Sequence, residues 1–216
     1  MPNPATALSP TRPPTGAPAP ARPSGRCGWG WRLWRPLALG LAGVWASACS
    51  PALDWRAVQP AGTPLTVWLP CKADQGAREV PLAGPAAPPV TLQMAGCRAA
   101  GRTFSVAVVA LPTAGAAGAE VAPRWIDVWQ RAHWAALGVQ AEDGGPPPAW
   151  QAVPCIAPGA TVAHCWRGSG RDGDGQALPA ELHWASDGRW LVQLAVLGPA
   201  LDAQAHELFF AGLRWR

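Results

Sequence analysis

The side chains with the chemistry for catalysis or metal binding are few: six cysteines (Cys27, Cys49, Cys71, Cys97, Cys155, Cys165) and four histidines (His133, His164, His183, His206). His164, Cys165, Cys155 and His183 are the right types for a four-ligand zinc site. Neighbouring strand residues point to opposite faces, however, so His164 and Cys165 do not converge if both lie in a strand. No metal and no cofactor are therefore expected. "RDGDG" (Arg171–Gly175) places Asp172 and Asp174 as a calcium loop would, but no bidentate glutamate follows at the right distance, and the stretch reads as a solvated hairpin turn. Acyl transfer needs a serine, a histidine base and an acid. Ser169 sits in "GSGRDG", outside the strand-turn-helix elbow such enzymes use. His133, His183 and His206 are scattered and read as surface or helix-flank residues. No phosphate-cradling glycine loop and no carboxylate pair is present. The chain is expected to carry no catalytic residue and to be no enzyme; the alternative is a periplasmic hydrolase-like enzyme built around His164 or the Ser169 loop.

The remaining chemistry belongs to Cys49 in "VWASACSPALDW". Upstream, "RCGWGWRLWRPLALGLAGVWASAC" puts arginines first, then an apolar run from Leu37 to Trp45, then small residues, which is the order of a secretory signal. The run falls short of the roughly 20 residues that span a bilayer. Ala46-x-Ala48 satisfies the general signal peptidase. Ala46-Ser47-Ala48-Cys49 also resembles a bacterial lipobox, in which the cysteine is acylated after cleavage, although Ala46 stands where leucine is usual. Cysteine arithmetic separates the two. Simple cleavage leaves five cysteines and one unpaired thiol in an oxidising compartment; acylation consumes Cys49 and leaves four. The expectation is thus a lipid on Cys49, carrying palmitate-like acyl chains, with a soluble secreted protein as the alternative. Cys155 and Cys165 flank a turn containing Pro158-Gly159, and antiparallel pairing about it would join them. Cys71 and Cys97 then pair by elimination, one of three connectivities that four cysteines allow.

Charge excludes one class of partner. All five charged residues before Cys49 are arginines, whereas eleven arginines and Lys72 face thirteen acids after it, so the overall +4 belongs to the leader. A nearly neutral exported part has no basic stripe for phosphates, and nucleic-acid binding is not expected. The 14 tryptophans accompany a composition typical of GC-rich codons and are read mainly as core residues.

These features divide the chain into a Pro/Ala-rich disordered extension or mis-assigned start at 1–25, a signal peptide at 26–48, a tether at 49–63 and one globular domain at 64–216. Four strand-like runs open the domain: "LTVWLP", "AREVPLAG", "PVTLQMAGC" and "RTFSVAVVAL". In the last, Phe104, Val106 and Val108 alternate with Ser105 and Ala107, as in a sheet with one buried face. "PTAGAAGAE" reads as a flexible joint before a helix from Ala122 to Leu137, whose stripe is Val121, Trp125, Val128, Ala132, Ala135 and Val139. Four more strands follow, "WQAVPC", "VAHCWRG", "ALPAELHWA" and "RWLVQLAVLG". "LDAQAHELFFAGLRW" closes as a helix capped by Asp202, with Ala205, Leu208, Phe209 and Gly212 inward. The expected class is α+β: antiparallel sheet of about eight strands in two sets, with two packing helices.

"CSPALDWR" at the acylated end, "VWLPCK" at the first strand and the closing "LGPALDAQAHELFFAGL" resemble a group of small beta-proteobacterial envelope lipoproteins with a PsbP-like sandwich fold. The resemblance covers most of Cys49 to Leu213. It departs at Trp68-Leu69-Pro70-Cys71-Lys72, where the group has Phe-Pro-Cys-Lys-Pro and this chain has Ala73 last. It implies an α+β sandwich and brings no activity with it. Ser50, where inner-membrane lipoproteins often carry aspartate, implies the outer membrane, facing the periplasm. The expected role is a membrane-tethered, non-enzymatic binding or assembly module of the cell envelope, held to the lipid bilayer through Cys49 and engaging an envelope protein.

Overall fold

Phe104, Val106 and Val108 do share one buried face of a strand, Arg102–Ala110 (β5), but the opposite face, with Ala107 and Val109, is buried as well. That double burial identifies β5 as an interior strand with a layer on each side. The structure is a computed structural model describing residues 53–82, 87–141 and 145–216, all within the compact unit Ser47–Arg216. The extension, the signal segment, the cleavage residues Ala46, Ser47 and Ala48, and Cys49 lie outside the described residues.

The described chain is mostly β. Ahead of β5 come Arg56–Val58 (β1), Leu65–Leu69 (β2), Asp74–Val80 (β3) and Val90–Ala99 (β4). After it come helix Ala116–Ala136 (α1) and strands Gln151–Ala152 (β6), Val162–Arg171 (β7), Ala177–Ser186 (β8) and Trp190–Leu197 (β9). A single helical turn, Ala203–His206 (α2), continues as a π-helical turn, Glu207–Ala211, before Arg214–Trp215 (β10). Seven strands form one antiparallel sheet in the order β3-β4-β5-β9-β8-β7-β6; β1, β2 and β10 form a second, in the order β1-β2-β10.

This corrects the expected α+β class of eight strands in two sets with two packing helices. The two expected sets merge because β5 pairs with β9 across the intervening helix, Val106 opposite Leu194. The small sheet went unforeseen because β1 and β10 are three and two residues long, too short to show a period of two. For the same reason the expected tether at 49–63 is partly folded: Arg56 pairs with Leu69, Trp55 meets Phe104 edge to face at 6.3 Å, and Thr63 is buried. The terminal helix is one turn plus a π turn rather than a full packing helix.

Two cores follow from the sheet's two faces. Beneath α1, Ile126, Trp129 and Trp134 pack on Val109, Leu182, Trp184 and Leu191. On the other face, Leu65, Val67 and Leu69 of β2 join Phe209, Phe210 and Leu213 against Phe104, Val106, Val192 and Leu194. The disulfide Cys71–Cys97, with Cα atoms 6.0 Å apart, ties the end of β2 to β4 and so joins the two sheets; Cys155–Cys165, at 5.5 Å, ties the segment after β6 to β7. Both expected pairings are present.

The buried face of α1 is displaced by one residue from the expected stripe. Gly118, Ala122, Ile126, Trp129, Gln130 and Trp134 are buried, whereas Ala132 and Ala135 are exposed. The two tryptophans and the isoleucine bring far more apolar area than the alanines and decide which face turns in. The helix also starts six residues early, consuming the expected joint. Its alanines favour helix, and Gly118 lets that first stretch press on the β8–β9 turn: a Cβ there would lie 1.8 Å from the Gly188 carbonyl oxygen and 2.6 Å from that of Thr113. Gly118→Ala is therefore expected to destabilise the domain by about 2–3 kcal/mol through backbone displacement, while Gly173→Ala, where nothing lies within 4 Å, stays within about 0.5 kcal/mol of wild type. Urea unfolding of both variants checks this; equal stabilities would contradict the close approach.

Candidate functional site

Glu181 and His183 lie two apart on β8, so their side chains leave the same face of the sheet. That face is the one covered by the C-terminal turns, and His206, at the end of α2, meets them there. Asp202 sets the turn in place, its Oδ1 accepting from the Ala205 amide at 2.8 Å. His183 Nε2 lies 2.9 Å and His206 Nε2 2.7 Å from the same oxygen, Glu181 Oε1. The other oxygen, Oε2, accepts from Arg167 Nε at 3.0 Å and pairs with Arg167 Nη2 at 2.9 Å. Phe210 stacks on the His183 ring at 3.8 Å between centroids and sits 4.8 Å from that of His206, fixing both rings.

The electrostatics follow from this geometry. Burial by itself raises the Glu181 carboxyl, but the hydrogen bonds from His183 and His206, and their charge when protonated, outweigh it and hold the group down at about 2. Burial pushes the His183 pKa down, against the opposing pull of Glu181. An ionised carboxylate can only accept, so each Nε2 is the donor, and His183 is a neutral ring. Glu181 also lines a cavity of about 150 Å³ with Arg167, Ala180, Val196 and Leu201. That lining contains no hydroxyl or thiol among the described residues; the carboxylate and the two rings can bind an ion or relay a proton.

Of the residues weighed from sequence as zinc ligands, only His183 belongs to this cluster. Cys155 and Cys165 are joined to each other, so neither is a thiolate for zinc. His164 faces the α1 side, with Nδ1 3.9 Å from Asp127 Oδ1, away from His183. Ser169 Oγ donates at 3.4 Å to the Gly170 carbonyl and among the described residues is hydrogen-bonded to no histidine. Asp172 Oδ1 accepts from the amides of Asp174 and Gln176 at 3.0 and 2.8 Å, as in a hairpin turn. The reading of His183 and His206 as scattered surface or helix-flank residues is corrected: His183 is buried in β8, and both rings share one carboxylate oxygen. Glu181-x-His183 within an expected strand was the available signal, since that spacing puts both on one face.

His133 stands apart, on α1. Its Nδ1 lies 2.8 Å from Gln193 Nε2 and its ring meets Trp184 edge to face at 6.0 Å. Burial lowers its pKa from 6.5 to about 4. The unfolded chain therefore binds this proton more readily, and the stability tied to the neutral ring is full above pH 6.5 and is lost as pH falls toward 4. A complete shift corresponds to about 3 kcal/mol; partial solvent access to the ring reduces the expectation to about 1–2 kcal/mol. Urea unfolding at pH 7 and pH 4.5 should show that loss in the wild type and a smaller one in His133→Gln. An identical loss in both would contradict it.

Elsewhere on the surface, Trp68 is 38% exposed and borders an open hollow of about 620 Å³ with Leu208, Ala211 and Arg214. Among known proteins, no family model matches the chain and no curated protein does so.

Proposed function

We propose that this chain is a lipoprotein of the cell envelope, exported by the signal at 26–48, acylated at Cys49 and oriented in the outer membrane toward the periplasm, with its β-rich domain acting as a binding or assembly module rather than a catalyst. One observation carries the anchoring: the four cysteines of the described residues pair among themselves, Cys71 with Cys97 and Cys155 with Cys165. None of them is left to pair with Cys49, the one other cysteine beyond the signal segment. A lone thiol in an oxidising compartment is a liability that acylation removes. Because the domain begins within a few residues of Cys49, with Trp55 already packed on Phe104, the anchor would hold it close to the bilayer. The non-catalytic reading is supported by the separation of Ser169 from every histidine bond and by the hydroxyl-free lining at Glu181. The exposed Trp68 beside its hollow supports contact with an envelope protein. Supplying labelled palmitate to cells tests the reading: the protein should take up label, and an unlabelled protein would overturn the anchor.

A further inference from the structure

The Glu181 cluster goes beyond that role and does not depend on how the chain is anchored. Three potential donor atoms, one each from Glu181, His183 and His206, lie within 4.8 Å of one another. Zinc binds imidazole nitrogen and carboxylate oxygen at about 2.1 Å. An ion at that distance from Glu181 Oε1 and from either Nε2 would see them roughly 80–90° apart, given separations of 2.7 and 2.9 Å. Neighbouring ligands of an octahedral site subtend such angles pair by pair, and two imidazoles with one carboxylate are the donor set of borderline transition metals rather than of magnesium or calcium. We propose that Glu181, His183 and His206 form a binding site for a divalent transition-metal ion of the zinc class.

The surroundings provide what such ligands require. Arg167 occupies Glu181 Oε2 and leaves Oε1 for a single bond to the ion. Phe210 holds both rings at fixed tilt. A cavity of about 150 Å³ adjoins Glu181 and Arg167. Without an ion, the two Nε2–H groups bond to Oε1; on binding, each Nε2 gives up its proton, to Nδ1 or to water, and presents its lone pair. The Arg167 charge opposes a dication and keeps the affinity modest, so this is a site that exchanges its ion rather than a structural zinc that folds the domain.

The full chain, extracted in detergent and stripped with chelator, is titrated with Zn²⁺ by calorimetry and with Co²⁺ by visible absorption and proton NMR. One equivalent should bind, and His206→Ala and Glu181→Gln should each weaken binding by at least the 10- to 100-fold that loss of even a supporting partner costs a metal site. In the wild type, Co²⁺ should shift the ring resonances of His183 and His206, a readout that needs no variant to fold. Absence of stoichiometric binding, shifts confined to His133 and His164, or unchanged affinity in a folded His206→Ala would each overturn the proposal.

Discussion

Cys49→Ala is expected to move the protein from the membrane to the soluble fraction outright. Each buried methylene of an acyl chain contributes about 0.8 kcal/mol, and two or more chains on one residue hold a protein stably where a single shorter chain would not. Among the described residues no helix is long and apolar enough to cross a membrane. The variant retains Ala46-x-Ala48, so general signal peptidase can still release it. It should also fold normally, since Cys49 takes no part in Cys71–Cys97 or Cys155–Cys165. Soluble, fully disulfide-bonded protein with wild-type melting is the expected product. Retention of the variant on carbonate-washed membranes would show that another element binds the bilayer.

Reduction of both disulfides should lower the melting temperature by roughly 10–25 °C rather than by a few degrees. The bonds close segments of 26 and 10 residues, and by chain entropy each is worth about 3 kcal/mol. Together that is a large part of the 5–15 kcal/mol typical of a domain, and at about 2–4 °C per kcal/mol it amounts to roughly 10–25 °C. The two bonds should differ in kind. Cys71–Cys97 joins the small sheet to the large one, so Cys71→Ala with Cys97→Ala should loosen β1, β2 and β10 first, visible as faster amide exchange there. The Cys155–Cys165 pair is local to β7, with the Val153 amide donating to the Cys165 carbonyl, and its loss should free only the segment around Pro158. Neither pair is a Cys-x-x-Cys at a helix start, so the protein should not catalyse insulin reduction. Melting unchanged by reduction would contradict the structural role of both bonds.

The sequence was legible where a residue type has one strong physical preference. The long strands β4, β5, β7, β8 and β9 announce themselves by β-branched and aromatic runs bounded by turn residues. Asp202 caps its helix as expected, and Cys155–Cys165 follows from the turn between them, which leaves Cys71 and Cys97 to pair by elimination. Legibility failed where the outcome is tertiary. β1 and β10 exist only because β2 offers them an edge. The early start of α1 depends on the fit of Gly118 to Gly188, a contact between residues 70 positions apart in the chain. The face of α1 is set by Ile126, Trp129 and Trp134 rather than by its alanines, a difference of buried area that the spacing of apolar residues alone does not carry. The Glu181 cluster combines a legible half, Glu181 and His183 on one face of a strand, with an illegible one: His206 arrives from a terminal turn whose docking no local pattern encodes.

The most direct test of the account is the mass of the N-terminal peptide of the protein extracted from membranes. The account predicts a peptide that begins at Cys49 and carries a diacylglyceryl group on its sulfur. A peptide that begins at Cys49 without lipid, or one that runs uncut from Ala48 into Cys49, would contradict it.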